Sequence, residues 1–113
     1  MRISEVTLLF IFLFLDYLTG VLVAIMEKKI NSTIGRKGIF NKVGILICVI
    51  LCKMIDLLEI DGLTSLVPLV SFFFVLNESF SILENLSKLN VPVPSFLIAS
   101  LKEMQEKNEK SDD

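Results

Sequence analysis

The chain has 113 residues, room for one domain, and 53% of them are hydrophobic, with a mean hydropathy of +0.72. That composition departs from the water-soluble globular norm. A net charge of −2, with the basic residues gathered beside an apolar run and not on a soluble face, argues against nucleic acid as a partner.

The first apolar run, Val6 to Met26, holds 21 residues with one charge, Asp16. A bilayer core of about 30 Å needs roughly 20 helical residues, so this run can cross it. Its 14 Leu, Ile, Phe or Val residues each favour the membrane by about 0.3 to 0.6 kcal/mol, against about 2.5 to 3.5 kcal/mol for one central aspartate. It inserts unaided. Cleavage as a signal peptide is disfavoured, because the leading "MRISE" is barely basic and no Ala-x-Ala site follows. Helical spacing puts Asp16, Thr19, Gly20 and Val23 on one face.

The next segment, "EKKINSTIGRKGIFNK", carries five basic residues, Lys28, Lys29, Arg36, Lys37 and Lys42, against Glu27 alone. The positive-inside rule makes it a cytoplasmic loop. A second run, Val43 to Leu58, contains Lys53 and Asp56; it spans if either Ile39 to Lys42 or Glu59 and Ile60 are included, and its insertion energy is near zero, so it needs a neighbouring helix. Gly44, Cys48, Cys52 and Asp56 recur every four residues along it, a stripe of small side chains that lets helices approach closely in lipid. The two cysteines read as small buried residues; one span with two thiols and no histidine in the chain supplies neither a disulfide framework nor a metal site.

A charge inside the bilayer must pair or face water. Asp16 lies ten residues from Met26 and Lys53 ten from Val43, both about 15 Å in at 1.5 Å per residue. Equal depth on antiparallel neighbours predicts an Asp16–Lys53 pair. After the short turn "EIDG", a third run from Leu63 to Phe80 carries Thr64, Ser71 and Glu78 on one face. Pro92 and Pro94 then force an extended break. From Ser95 the pattern is helical again, with Leu97, Leu101 and Met104 on one side and Glu103/Lys107 and Glu106/Lys110 at i,i+4.

These runs predict an all-α integral membrane protein: a single domain over 1–113, spans near 6–26, 43–60 and 63–80, and a cytoplasmic tail over 84–113 holding a short amphipathic helix. Self-association is expected, because each span has one polar or small face too narrow to line a channel alone. The polar residues Asp16, Thr19, Gly20, Lys53, Asp56 and Glu78 are the candidates for an interface or lesion lining. Without a nucleophile paired to a base, or a phosphate-binding glycine loop, an enzyme is not expected, nor a cofactor.

"DYLTG" late in the first span, "STIGRKG" and "NKVGIL" in the basic segment, "MIDLL", "NESFSILEN" and "VPVPSFL" together resemble the toxin-secretion/phage-lysis holins, which include clostridial toxin-export proteins. The resemblance runs from about Asp16 to Leu101 and implies a bacterial cytoplasmic-membrane protein that oligomerises and opens timed lesions for an endolysin or a toxin. By motif position its characteristic residues are Asp16, Thr19, Gly20, Ser32, Gly35, Gly38, Lys42, Asp56, Asn77, Glu78, Ser81, Glu84, Asn85, Pro92 and Pro94. Two positions depart from the pattern: Lys53, an unusual charge for that span, and Asn90, where a glycine is expected before Pro-x-Pro; asparagine also tolerates left-handed backbone angles. An antiholin shares every one of these features, and a small proton-coupled exporter would need a fourth span.

The basic excess of the first loop predicts Ser4 outside and Ser111 inside. In a background lacking Cys48 and Cys52, an impermeant thiol reagent added to intact cells should label a cysteine at position 4 and spare one at 111.

Overall fold

The computed structural model describes residues 4–28 and 32–112, with side chains over 4–28 and 38–108. It contains four helices: α1 (Glu5–Met26), α2 (Ser32–Asp56), α3 (Leu66–Lys88) and α4 (Ser95–Asp112). Segments of three of them, Glu5–Met26, Gly38–Asp56 and Leu66–Lys88, are long and apolar enough to cross a membrane. The all-α, three-span architecture expected from the apolar runs is the one observed.

Each helix end has a local cause. Ser4 caps α1, its Oγ accepting the Thr7 amide at 3.2 Å, and Glu5 complements the positive end of the helix dipole. At the far end Lys28 takes φ +57° and donates its amide to Ile25 O. α2 begins at Ser32, well before the apolar run at Val43, because "STIGRKGIFNK" contains no proline and folds as helix ahead of the span. It stops at Asp56, and the left-handed residues Glu59 and Gly62 turn the chain towards α3. α3 continues past Phe80 to Lys88, since Ile82, Leu83 and Leu86 prolong the helical apolar pattern.

The turn after α3 shows how Asn90 replaces the expected glycine. Asn90 has φ +65°, its amide bonds Ser87 O at 3.0 Å, and the Val91 amide bonds Leu86 O at 3.0 Å. This pairing is a Schellman motif with asparagine at the left-handed position. Pro92 and Pro94 keep the following residues extended, and α4 starts at Ser95.

α3 is the central element. It packs most extensively on α1, then on α2, and α4 folds back against it. Leu9 and Leu13 of α1 meet Ile45 and Val49 of α2 in a small core, flanked by Val6, Leu46, Val70, Phe74 and Val75. Ser71 is fully buried on α3, where a small side chain allows close helix approach. The packed line of α2 is Ile45, Val49 and Cys52, not the stripe through Gly44: that glycine is exposed, with nothing within 4 Å of where its Cβ would be. α4 also turns differently from the expected Leu97/Leu101/Met104 face. Ile98, Leu101, Gln105 and Asn108 are its half-buried positions, whereas Leu97 and Met104 stay exposed on its flank.

Between 17% and 22% of the apolar stretch of each span is buried within the protomer. The remainder, including Phe10, Phe14, Leu22, Phe40, Ile47, Leu51 and Met54, points outward. An apolar exterior of this extent requires lipid or other protein around it.

Asn90→Gly should leave thermal unfolding in detergent unchanged or raise the midpoint, since glycine adopts the same backbone angles without strain. Asn90→Val should lower stability by about 1 to 2 kcal/mol, the cost of a β-branched left-handed residue.

Candidate functional site

The polar residues of the three spans converge on one cluster inside the bundle. On α1, Asp16, Thr19 and Gly20 share a face; on α3, Glu78, Ser81 and Asn85 do, at spacings of three and four; Lys42 projects from α2. Lys42 Nζ donates to Asp16 Oδ2 at 2.8 Å and to Glu78 Oε2 at 3.3 Å. One ammonium thus joins all three spans. The side chains of Lys42, Asp16 and Glu78 are 16%, 14% and 7% exposed, so the interaction is shielded.

Neutral donors complete the coordination of Asp16. Ser81 Oγ donates to Asp16 Oδ1 at 2.6 Å and Asn85 Nδ2 reaches the same oxygen at 3.3 Å. Asn85 Nδ2 also donates to Thr19 Oγ1 at 2.9 Å, while the Thr19 hydroxyl donates back to Leu15 O at 2.8 Å. Gly20 lies beside this amide: a Cβ there would stand 3.8 Å from Asn85 Nδ2. On the neighbouring pair of helices, a Cβ on Gly38 would stand 3.9 Å from the Tyr17 ring. Both glycines sit against a side chain of a neighbouring helix.

Asp56 serves elsewhere. Its two carboxylate oxygens accept the Leu66 and Val67 amides at 2.7 and 2.9 Å, capping α3 from the last residue of α2. Ser65, at the usual capping position, makes no side-chain cap bond. Asp56 therefore ties the ends of two spans across their loop.

The expected Asp16–Lys53 pair does not form. Lys53 is exposed, and the partner of Asp16 is Lys42. The reason is the start of α2. Counted from Ser32, Lys42 is ten residues into its helix, as Asp16 is ten from the end of α1, so these two lie level. The sequence places Lys42 in a cytoplasmic basic loop, or in the second span if that span takes in Ile39 to Lys42; it belongs to α2 and to this cluster. Of the other residues of that loop, Lys28 is exposed after α1, Lys29 lies outside the described residues, and Arg36 and Lys37 lie on α2 with side chains outside them. Ser81 and Asn85 stood among the motif residues but not among the candidate site residues. The signal for them was present: Glu78, Ser81 and Asn85 repeat at helical spacing in "ESFSILEN".

Among the described residues no group of three or more His, Cys, Asp or Glu side chains could hold a metal ion. The arrangement is one of charge pairing and hydrogen bonding within a helical membrane bundle. It defines a small multi-pass membrane protein in which Asp16, Lys42 and Glu78 of three spans face one another, while Lys53 stays exposed on the second.

The comparison with known proteins makes the class specific. The chain belongs to the bacteriophage holin family, whose model matches residues 3–106. It is 44% identical to an uncharacterized protein of Clostridium perfringens over 103 residues, covering 91% of this chain and 76% of that one. It is 41% identical to a second Clostridium perfringens protein, of 14.9 kDa, from the nagH 3' region, covering 93% and 79%. The holin-like protein TcdE of Clostridioides difficile is 30% identical over 119 residues, covering 84% of this chain and 72% of TcdE. No solved structure gives a significant match. The chain is accordingly a multi-pass protein of the cytoplasmic membrane with a holin-type role, in a family that is generally non-enzymatic.

Removing Lys42 strands two carboxylates, whereas removing Lys53 strands none. Lys42→Met should cost about 3 to 5 kcal/mol in detergent unfolding and sharply reduce membrane accumulation, and Lys53→Met should change stability by less than about 0.5 kcal/mol. The triple variant Asp16→Asn, Lys42→Met, Glu78→Gln should recover most of the loss, because no lone charge remains.

Proposed function

We propose that this chain accumulates in the bacterial cytoplasmic membrane, oligomerises, and forms timed lesions through which an endolysin, or a toxin, leaves the cell, leading to lysis. The N-terminus lies outside and the C-terminus inside. The observation that supports the reading, beyond family membership, is the combination of a polar cluster formed inside the bundle and a largely apolar exterior of the three spans, on which Lys53 is an exposed charge.

Asp16, Lys42, Glu78, Ser81 and Asn85 bond one another inside the protomer, so in this reading a single bundle offers no aqueous path. A monomer with that structure is harmless to the permeability barrier. A lesion wide enough for a folded enzyme needs many protomers around a shared water-filled space. Assembly of that kind depends steeply on concentration, which converts steady synthesis into a sudden event.

Induced expression in a bacterium should leave growth and membrane potential unaffected until an abrupt depolarisation, and a co-expressed cytoplasmic murein hydrolase should then reach the wall. Doubling the rate of synthesis should advance the onset. If high-level expression never depolarises the membrane yet delays lysis by another holin, the chain is an antiholin; drug resistance without depolarisation would identify an exporter.

A further inference from the structure

Lys53 is the intramembrane charge that the account above leaves unused. It stands exposed on α2, in the last turn of the helix, among the outward residues Ile50, Met54 and Leu57. Among the described residues it makes no ion pair. A charge in a span needs a partner or water. The apolar surface does not end at Lys53, since Leu57, Leu58, Ile60 and Leu63 continue it into the turn before α3. The ammonium therefore lies short of the rim.

Which carboxylate stands at its depth follows from the register of α1 and α2. The two helices run antiparallel, and the Asp16–Lys42 contact at 2.8 Å sets them level at those residues. Glu5 lies eleven residues before Asp16 and Lys53 eleven after Lys42, a rise of about 16 Å on both helices. Glu5 is thus level with Lys53. The level pairs between these two rungs, Leu9 with Val49 and Leu13 with Ile45, make up the buried core.

Glu5 is exposed too, and among the described residues it has no ion-pair partner. It is the first residue of α1, so its side chain leans back past the helix start, where a neighbouring molecule can reach it. Asp56 is not available to Lys53 in this way, because both its oxygens accept the Leu66 and Val67 amides. Glu59 and Asp61 lie beyond the end of α2. Level though they are, Glu5 and Lys53 do not pair within the protomer.

We propose that the Lys53 flank of α2 is the contact face for a second copy of this chain, whose Glu5 neutralises Lys53 across the contact. The inference rests on the self-associating reading and names its contact. Copies inserted in the same sense hold each residue at one depth, so the Glu5 of one copy meets the level of the next copy's Lys53. Each copy brings one cation and one carboxylate to that level, and the contact is head-to-tail. A closed ring of such contacts pairs every charge, whatever the number of copies.

Charge reversal in separate copies tests this. Full-length chains lacking Cys48 and Cys52 are labelled with donor or acceptor dye at a cysteine placed at position 111, and energy transfer between copies in lipid vesicles is followed against protein density. Glu5→Lys alone and Lys53→Glu alone should each need at least about tenfold higher density to associate, because like charges then meet at the contact. An equimolar mixture of the two variants should associate as the unsubstituted chain does, and so should one chain carrying both reversals. Either single variant associating at the original density overturns the proposal. Recovery in the doubly reversed chain without recovery in the mixture also overturns it, since the pair would then lie within one copy. Dye leakage from the same vesicles separates the two readings: if the mixture associates as expected and no sample leaks at any density, the contact stands and the lesion-forming reading has failed.

Discussion

The Lys42 ammonium, held between Asp16 and Glu78, is the constraint on which the bundle depends. Each of the three groups is prohibitive alone in a low-dielectric interior, and together they require three helices to meet at one level and one rotation. Dispersion between apolar side chains sets no such register, because leucine against lipid and leucine against leucine differ little. The small core of Leu9, Leu13, Ile45 and Val49 fills space; the polar cluster fixes which faces touch. Ser81 and Asn85 add to this by donating to Asp16 oxygens that a single lysine leaves open.

A closed polar interior and an apolar exterior suit a protein that must accumulate without harm. The bundle presents lipid with hydrocarbon, keeps its carboxylates from the barrier region, and ties the α2–α3 hairpin with Asp56, whose two oxygens replace the orphan amide partners at the start of α3. The polar surface lies on α4, at the end of a turn whose left-handed residue sets the direction of the helix that follows. Membership in the bacteriophage holin family and this division of surfaces support the same reading, in which permeability is a property of the assembly.

Much of this was legible in the sequence, and the parts that were not share a cause. Three apolar runs gave three membrane helices, because length and hydropathy are read directly by the bilayer. The face of α1 through Asp16, Thr19 and Gly20 followed from helical spacing, and Asn90 took the left-handed angle that its place before Pro-x-Pro requires. The partner of Asp16 was misassigned because depth was counted from the edge of an apolar run, while the helix itself starts at Ser32 among polar residues. Asp56 as a cap was hidden for a related reason: the donor amides belong to Leu66 and Val67, ten and eleven positions away, outside any local capping pattern. The docking of α4 depends on half-buried polar positions, Gln105 and Asn108, that an apolar stripe does not mark.

The central claim is that Lys42, and not Lys53, neutralises Asp16 in the membrane. Magic-angle-spinning NMR in lipid bilayers, on protein carrying nitrogen-15 at the lysine side chains and carbon-13 at the aspartate carboxyls, measures this as dipolar dephasing between the two nuclei. A strong, contact-range dephasing of the Asp16 carboxyl that survives Lys53→Met and vanishes in Lys42→Met is the predicted result. Dephasing that survives Lys42→Met and vanishes in Lys53→Met, or an Asp16 carboxyl with no lysine nitrogen in contact, would contradict the account.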